Sequence, residues 1–329
     1  MRSQNLHFTN KGIDDIIWYW KLCVRVVKND KKGHNMSDFV IRCCTTVDLS
    51  KEHLESRNIE YIYFHYFVDG VHYDDDLGQT MSYKEFYDAM RAGCDTKTSQ
   101  INAAEYEEFF EKFLKEGKDV LHINISSGIS GAFNSANIAK DILEEKYPDR
   151  KIYVVDSMNA ASGYGLLVDQ AADLRDVGKT IDEIHEWILA NRMKLHAWFF
   201  TDDLTYLVKG GRVSKASGLI GGALSICPLM HIDAEGKLGA KQKVRTKKKA
   251  IRALVEQMEN YAEKGLEYSG KCFLCHADVL EDAKTVAGMI EEKFPKLNGK
   301  VLINNIGTTI GSHTGPGVVA IFFWGEERK

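Results

Sequence analysis

The chain has 329 residues, 44% of them hydrophobic and 27% charged, with a formal net charge of −4. At about 150 residues per domain the length points to two domains, with ample apolar side chains for a core. The slightly acidic balance excludes a global attraction to nucleic acid, and no apolar run reaches the roughly 18 residues of a membrane span.

Residues 1–35 are basic and aromatic and differ from the rest of the chain. They read as a loosely attached extension or an N-terminal helix, to which no function is assigned, ahead of an N-terminal domain at 36–165 and a C-terminal domain at 166–329. The short apolar stretch "IIWYW" comes after two aspartates and lacks a small-residue cleavage site, so a cytoplasmic location is expected. The seven scattered cysteines suit free thiols better than disulfides.

"FVIRCC" (39–44) reads as a buried strand, "SKEHLESR" as a short helix, and "IEYIYFHYFV" (59–68) as one aromatic, β-branched strand. "YKEFYDAMRAG" and "AEYEEFFEKFLKEG" place apolar residues at helical spacing and end at glycine. "DVLHINI" is a strand, "SGAFNSANIAKDILEEKYP" a helix and "KIYVVDS" a strand. This alternation predicts a layered α/β domain with a mostly parallel sheet. One or two helices fill 160–190, and "HAWFFTDDL" opens a second α/β region. There "PLMHIDAEGKLGAKQKV" predicts a hairpin turning at "AEGK". The remaining elements are the helix "KKKAIRALVEQMENYAEK", the strand "KCFLCHA", the helix "DAKTVAGMIEEKF", and two strands flanking a Gly-rich turn near the end.

The stretch "ISSGISGAFNSA" (125–136) sits between strand and helix. A nucleophile elbow needs G-x-S-x-G, and Gly128-Ile129-Ser130-Gly131 is one residue short of it. An esterase also needs a histidine and an acid beside the serine. Alternatively, Ser126, Ser127 and Ser130 lie where free N–H groups and the helix dipole favour an anion. A simple N-cap would need only one of them. In "HTGPG" (313–317), His313 edges a Gly/Pro turn and could donate to an anion. "KGGRVSKASG" (209–218) offers Lys209, Arg212 and Lys215, suited to carboxylate or phosphate, without the order of a P-loop. "TSQ" (98–100) precedes a helix, so Thr98 or Ser99 could cap it or hold a ligand. "CFLCH" (272–276) matches a haem-attachment pattern but reads as a buried strand. No second ligand pair with metal spacing accompanies it, so no metal is expected.

The order of "TTVDL" (45–49), "TSQ", "ISSGISGAFNSA", "VVDS" (154–157), "LVKGGRVS" (207–214) and "GSHTGPG" (311–317) resembles the DegV family of bacterial fatty-acid-binding proteins. The likeness runs from about Met36 to Trp324. It implies two α/β domains with one long-chain fatty acid, such as palmitate, buried between them. It implies no cofactor and no catalytic nucleophile. Some family members carry the acyl group for a separate ATP-dependent fatty-acid kinase that makes acyl phosphate. By the resemblance, Thr98 and Ser130 hold the carboxylate, with Ser126 and Ser127 beside them, and His313 joins the same polar network. Arg212, with Lys209, would meet the kinase or the phosphoryl group. Two positions depart from the family pattern: Cys44 stands where Asp is usual, and Ile101-Asn102 where Pro-Ser is common.

The rival reading is a serine hydrolase using Ser130 with a histidine such as His313. A third is a phosphate or sugar-phosphate binder built on the Gly-rich basic loops.

Overall fold

Strand β1 (Phe39–Cys44) is buried at every position and β6 (Asp119–Asn124) at all but its first. Continuous burial is what a strand covered on both faces requires. With β2 (Glu60–Ile62) and β7 (Ile152–Asp156) they form a wholly parallel sheet in the order β2-β1-β6-β7. The computed structural model describes residues 39–201, 203–213 and 226–329. The expected N-terminal extension, and residues 214–225 with Lys215, lie outside them.

Helices α1 (Lys51–Ser56), α2 (Tyr83–Arg91), α3 (Ala103–Lys115) and α4 (Ala132–Lys146) alternate with these strands. Reciprocal capping boxes start α2 (Ser82 with Glu85) and α3 (Asn102 with Glu105). From β1 the chain builds β2 on one side, and β6 and β7 on the other. The sheet therefore reverses between β1 and β6, the point where open α/β sheets bind ligands at their carboxyl ends. The serine loop leaves β6 there.

The expected single strand at 59–68 is broken. Phe64 is buried, and its N–H donates to Thr45 Oγ1 at 3.1 Å instead of to a ladder. Beyond it, β3 (His65–Val68) enters a second sheet, antiparallel, of order β4-β3-β5, with β4 (Val71–Asp74) and β5 (Thr96–Ser99). "TSQ" thus starts on a strand, with Thr98 opposite Tyr66. Neither Thr98 nor Ser99 caps α3, because Asn102 does.

The C-terminal half holds a six-stranded sheet in the order β10-β9-β8-β13-β11-β12. Its strands are β8 (Leu195–Phe200), β9 (Ile226–Ile232), β10 (Leu238–Arg245), β11 (Phe273–His276), β12 (Leu302–Asn305) and β13 (Val319–Trp324). Only β11 and β12 pair in parallel. The β9–β10 hairpin is the one expected from "AEGK". Cys272 and Cys275 pack as buried free thiols.

Six more helices complete the described residues: α5 (Ser162–Asp176), α6 (Ile181–Asn191), α7 (Thr205–Lys209), α8 (Lys247–Tyr261), α9 (Leu280–Lys293) and α10 (Thr308–Thr314). Ten of the fifteen residues of α5 are buried, because it packs on strands of both large sheets. The expected division at 165/166 falls inside this helix. Among the described residues no helix is long and apolar enough to cross a membrane.

The expected Gly-rich turn before β13 contains α10. Glycine and threonine are poor helix formers, and this helix is begun by tertiary contacts. Asp48 Oδ1 accepts the Gly307 N–H at 3.0 Å, and Asp75 accepts the Thr308 hydroxyl at 2.9 Å and the Thr309 N–H at 3.3 Å.

Candidate functional site

His313 lies in the last turn of α10, and Thr98 projects from β5 towards it. The Thr98 hydroxyl and His313 Nε2 are 2.7 Å apart. The helix reaches this position because Gly311 has no side chain: a Cβ there would lie 2.5 Å from the Tyr87 hydroxyl oxygen. That hydroxyl in turn donates to the Ile306 carbonyl at 2.9 Å. His313 Nδ1 is buried and has no protein hydrogen-bond partner among the described residues. It faces Gly210, where any Cβ would collide with it. Burial, and then the Arg212 charge, push the imidazole down to about 4, so at neutral pH it is uncharged.

Gly210 also connects the basic loop to this histidine. Arg212 donates from Nη1 to the Gly210 carbonyl at 2.6 Å and from Nε to the Ile129 carbonyl at 3.3 Å. The second contact fastens "KGGR" to the serine loop. Arg212 Nη2 makes no hydrogen bond among the described residues. Burial lowers the Arg212 pKa, but a guanidinium stays protonated in proteins. Arg212 is therefore the permanent cation here, and His313 a neutral donor or acceptor.

Ile129, Arg212 and His313 line a cavity of about 70 Å³, with Phe199, Ile232 and Phe322 among its apolar walls. A single water needs only about 10–15 Å³, so the space holds several such groups. Apolar walls beside one cation and a buried imidazole suit an amphiphile with an anionic head.

The other expected residues have different surroundings. Ser130 is half-buried next to Ile129, and its Oγ accepts the Ala132 N–H at 3.2 Å in the first turn of α4. Ser126 is buried; its hydroxyl donates to the Gly236 carbonyl at 2.8 Å and accepts the Gly128 N–H at 3.1 Å. It locks the loop onto the β9–β10 turn. Ser127 is exposed, with its N–H on Asp156 Oδ1 at 3.2 Å. Lys209 is exposed and paired with Asp95 at 2.5 Å. Among the described residues no hydrogen bond joins Ser130 to a histidine, and His313 Nε2 is engaged with Thr98. The Ser–His pair of a hydrolase is not assembled. Asp48, Asp75 and Gly210 support the site; Asp48 lies in "TTVDL" and Gly210 in "KGGR", but no role was assigned to any of the three. They act on residues more than 100 positions away, which no local pattern specifies.

The sequence profile of the DegV family, described as "Uncharacterised protein, DegV family", matches residues 43–326. The chain belongs to the DegV family. A DegV domain-containing protein of Clostridium perfringens is 38% identical over 294 residues, covering 89% of this chain and all of that one. A DegV lipid-binding protein of Thermotoga maritima is 28% identical in its crystal structure, with a TM-score of 0.77, over 89% of this chain and 100% of the other. A stearic-acid-binding protein of Eubacterium ventriosum is 25% identical, with a TM-score of 0.78, over 87% and 98%.

In this DegV chain, Cys44 lies inside a buried polar cluster. Its Sγ lies 3.2 Å from the Tyr106 hydroxyl, 3.6 Å from His122 Nε2 and 3.9 Å from Asn124 Oδ1. Burial pushes the thiol up to about 12, so it stays protonated and unreactive.

Proposed function

We propose that this chain binds a long-chain fatty acid in the Arg212–His313 cavity, with the carboxylate at the polar end and the tail against the apolar walls. The observation that carries this reading is the joining of "TSQ", "KGGR" and "HTGPG" at one apolar cavity: Thr98 on His313, and His313 packed on Gly210 beside Arg212. A buried carboxylate needs donors and a cation, because an unpaired charge there costs several kcal/mol. Arg212 supplies the charge. Thr98, Ser130 and His313 supply neutral donors, with the start of α4 nearby. Fatty-acid and lipid binding in the two solved relatives supports the same reading. A 16-carbon tail contributes roughly 10 kcal/mol gross at about 0.8 kcal/mol per CH₂, offset in part by association costs. A long tail would extend this cavity into a tunnel between the two large sheets, each read as the centre of one domain.

The protein, on this reading, is not itself a catalyst. It presents the carboxyl group to a separate ATP-dependent kinase that forms the acyl phosphate, in the cytoplasm. Arg212 faces that encounter, with Lys209 at its rim.

Denaturing the purified protein, extracting it and identifying the extract by mass spectrometry tests the binding. A stoichiometric long-chain acid is expected; an empty protein that also takes up no added fatty acid would sink the proposal. For the kinase role, Arg212→Glu is expected to abolish acyl-phosphate formation with a partner kinase. Unchanged formation would refute it.

A further inference from the structure

A separate cluster lies on the outer side of the three-stranded sheet. Strands β3 and β4 are joined through Asp69 and Gly70, both at positive φ (48° and 83°), in a two-residue turn. The register pairs His65 with Asp74 and Phe67 with His72. Side chains alternate along a strand, so His65, His72 and Asp74 emerge on one face. One ligating atom from each lies within 4.8 Å of the others. Glu105, in the first turn of α3, stands behind them. Its Oε1 is 2.7 Å from His65 Nε2, and its Oε2 accepts the Asn102 N–H at 2.7 Å. Across the ring, His65 Nδ1 is 2.9 Å from Asp74 Oδ1.

These contacts set a proton-counting problem. A neutral imidazole has one N–H, yet His65 meets a carboxylate oxygen at both nitrogens. If Nε2–H goes to Glu105, the Nδ1 lone pair faces that of Asp74 Oδ1. Either a second proton or a cation resolves the contact. The surroundings favour a cation. His72 adds a second imidazole at the same point. The Glu105–His65 bond, with Glu105 itself fixed by the Asn102 backbone, is the support that orients a ligating histidine. Two imidazoles and a carboxylate suit zinc and its neighbours in the first transition row. Bonds of about 2.1 Å place tetrahedral ligands roughly 3.4 Å apart, a small side-chain rotation from the present spacing.

We propose that His65, His72 and Asp74 bind one divalent transition-metal ion, with Glu105 as the positioning residue for His65 and the fourth position open to water. The next residue on β3, Tyr66, pairs with Thr98. Metal at the hairpin would therefore brace the strand that sets Thr98, from its opposite face.

Calorimetric titration of zinc into the full chain, after chelator treatment, tests this. One equivalent is expected to bind, with the Kd raised about tenfold or more in both His72→Gln and Asp74→Asn. His72 and Asp74 are exposed, and neither contributes to the cavity, so metal-free melting and the fatty-acid content of both variants should match the wild type. Absence of saturable zinc binding below roughly 100 μM, or a wild-type Kd in either variant, would overturn the proposal.

Discussion

Thr98 and His313 illustrate how much one contact can decide. The 2.7 Å hydrogen bond between them occupies the nitrogen that a hydrolase would need, and orients a neutral imidazole beside Arg212. Thr98→Val keeps the shape and removes the hydroxyl. We expect it to weaken fatty-acid binding about tenfold, the size of one hydrogen bond to a charged network, in displacement of a fluorescent fatty acid. For Asp48 the expected effect has the opposite sign. Burial, then the neighbouring charge of Asp75, raise its pKa well above the ordinary carboxyl value, with the Gly307 N–H opposing. A raised folded value gives stability that is full below the unfolded value near 3.9 and is lost as pH rises through the folded one. Asn at this position keeps an acceptor for Gly307 and does not titrate. Asp48→Asn should therefore melt above the wild type at alkaline pH, by roughly 1–2 °C per kcal/mol gained, and the gap should shrink on acidification. A lower melting temperature at every pH would show Asp48 to be a needed charge.

Among elements, α10 is the one whose existence depends most on the rest of the fold. It carries His313, yet its composition predicts a turn. Its first turn is held by two acids from the N-terminal half, and its packing requires glycine at 311. The short α7 ends at Gly210, whose backbone is ordinary right-handed helix. Alanine fits that backbone, but its methyl group would strike His313 Nδ1. Gly210→Ala should lower the melting temperature, because the His313 ring must shift off Thr98, and should reduce fatty-acid affinity with it. Unchanged affinity in the variant would mean that the contact serves folding rather than the ligand. The hairpin β3–β4 escaped notice in the sequence for a related reason. His65, His72 and Asp74 match no metal-ligand spacing along the chain, and only the cross-strand register brings them together.

At the scale of the whole molecule, α5 joins the two large sheets, and the ligand cavity borders both halves of the chain. A ligand there is also part of the core. At a hundredfold excess over Kd it stabilises by about 2.7 kcal/mol, worth roughly 4 °C in a chain of this size. Delipidated protein should melt lower by that amount and recover on adding a long-chain acid. Identical melting with and without ligand would mean that the folded chain does not bind the acid.

Much of this architecture is written locally. Buried strands such as Phe39–Cys44 and Asp119–Asn124 announce themselves by continuous apolar runs, and α2 and α3 by their helical spacing and terminal glycines, because burial and capping act over a few residues. The motifs "TSQ", "KGGR" and "HTGPG" were likewise visible as unusual clusters of donors and glycines. What they do together was not. Whether Ser126 faces a ligand or the Gly236 carbonyl, whether Ser130 meets a histidine, and whether His313 sits on a turn or a helix are settled by contacts between residues far apart in sequence. Pattern along the chain determined the α/β class and most strands and helices, but not β4, β5, α7 or α10. Only the tertiary structure decided the site, because partner, burial and protonation state belong to the packed neighbourhood and not to the residue.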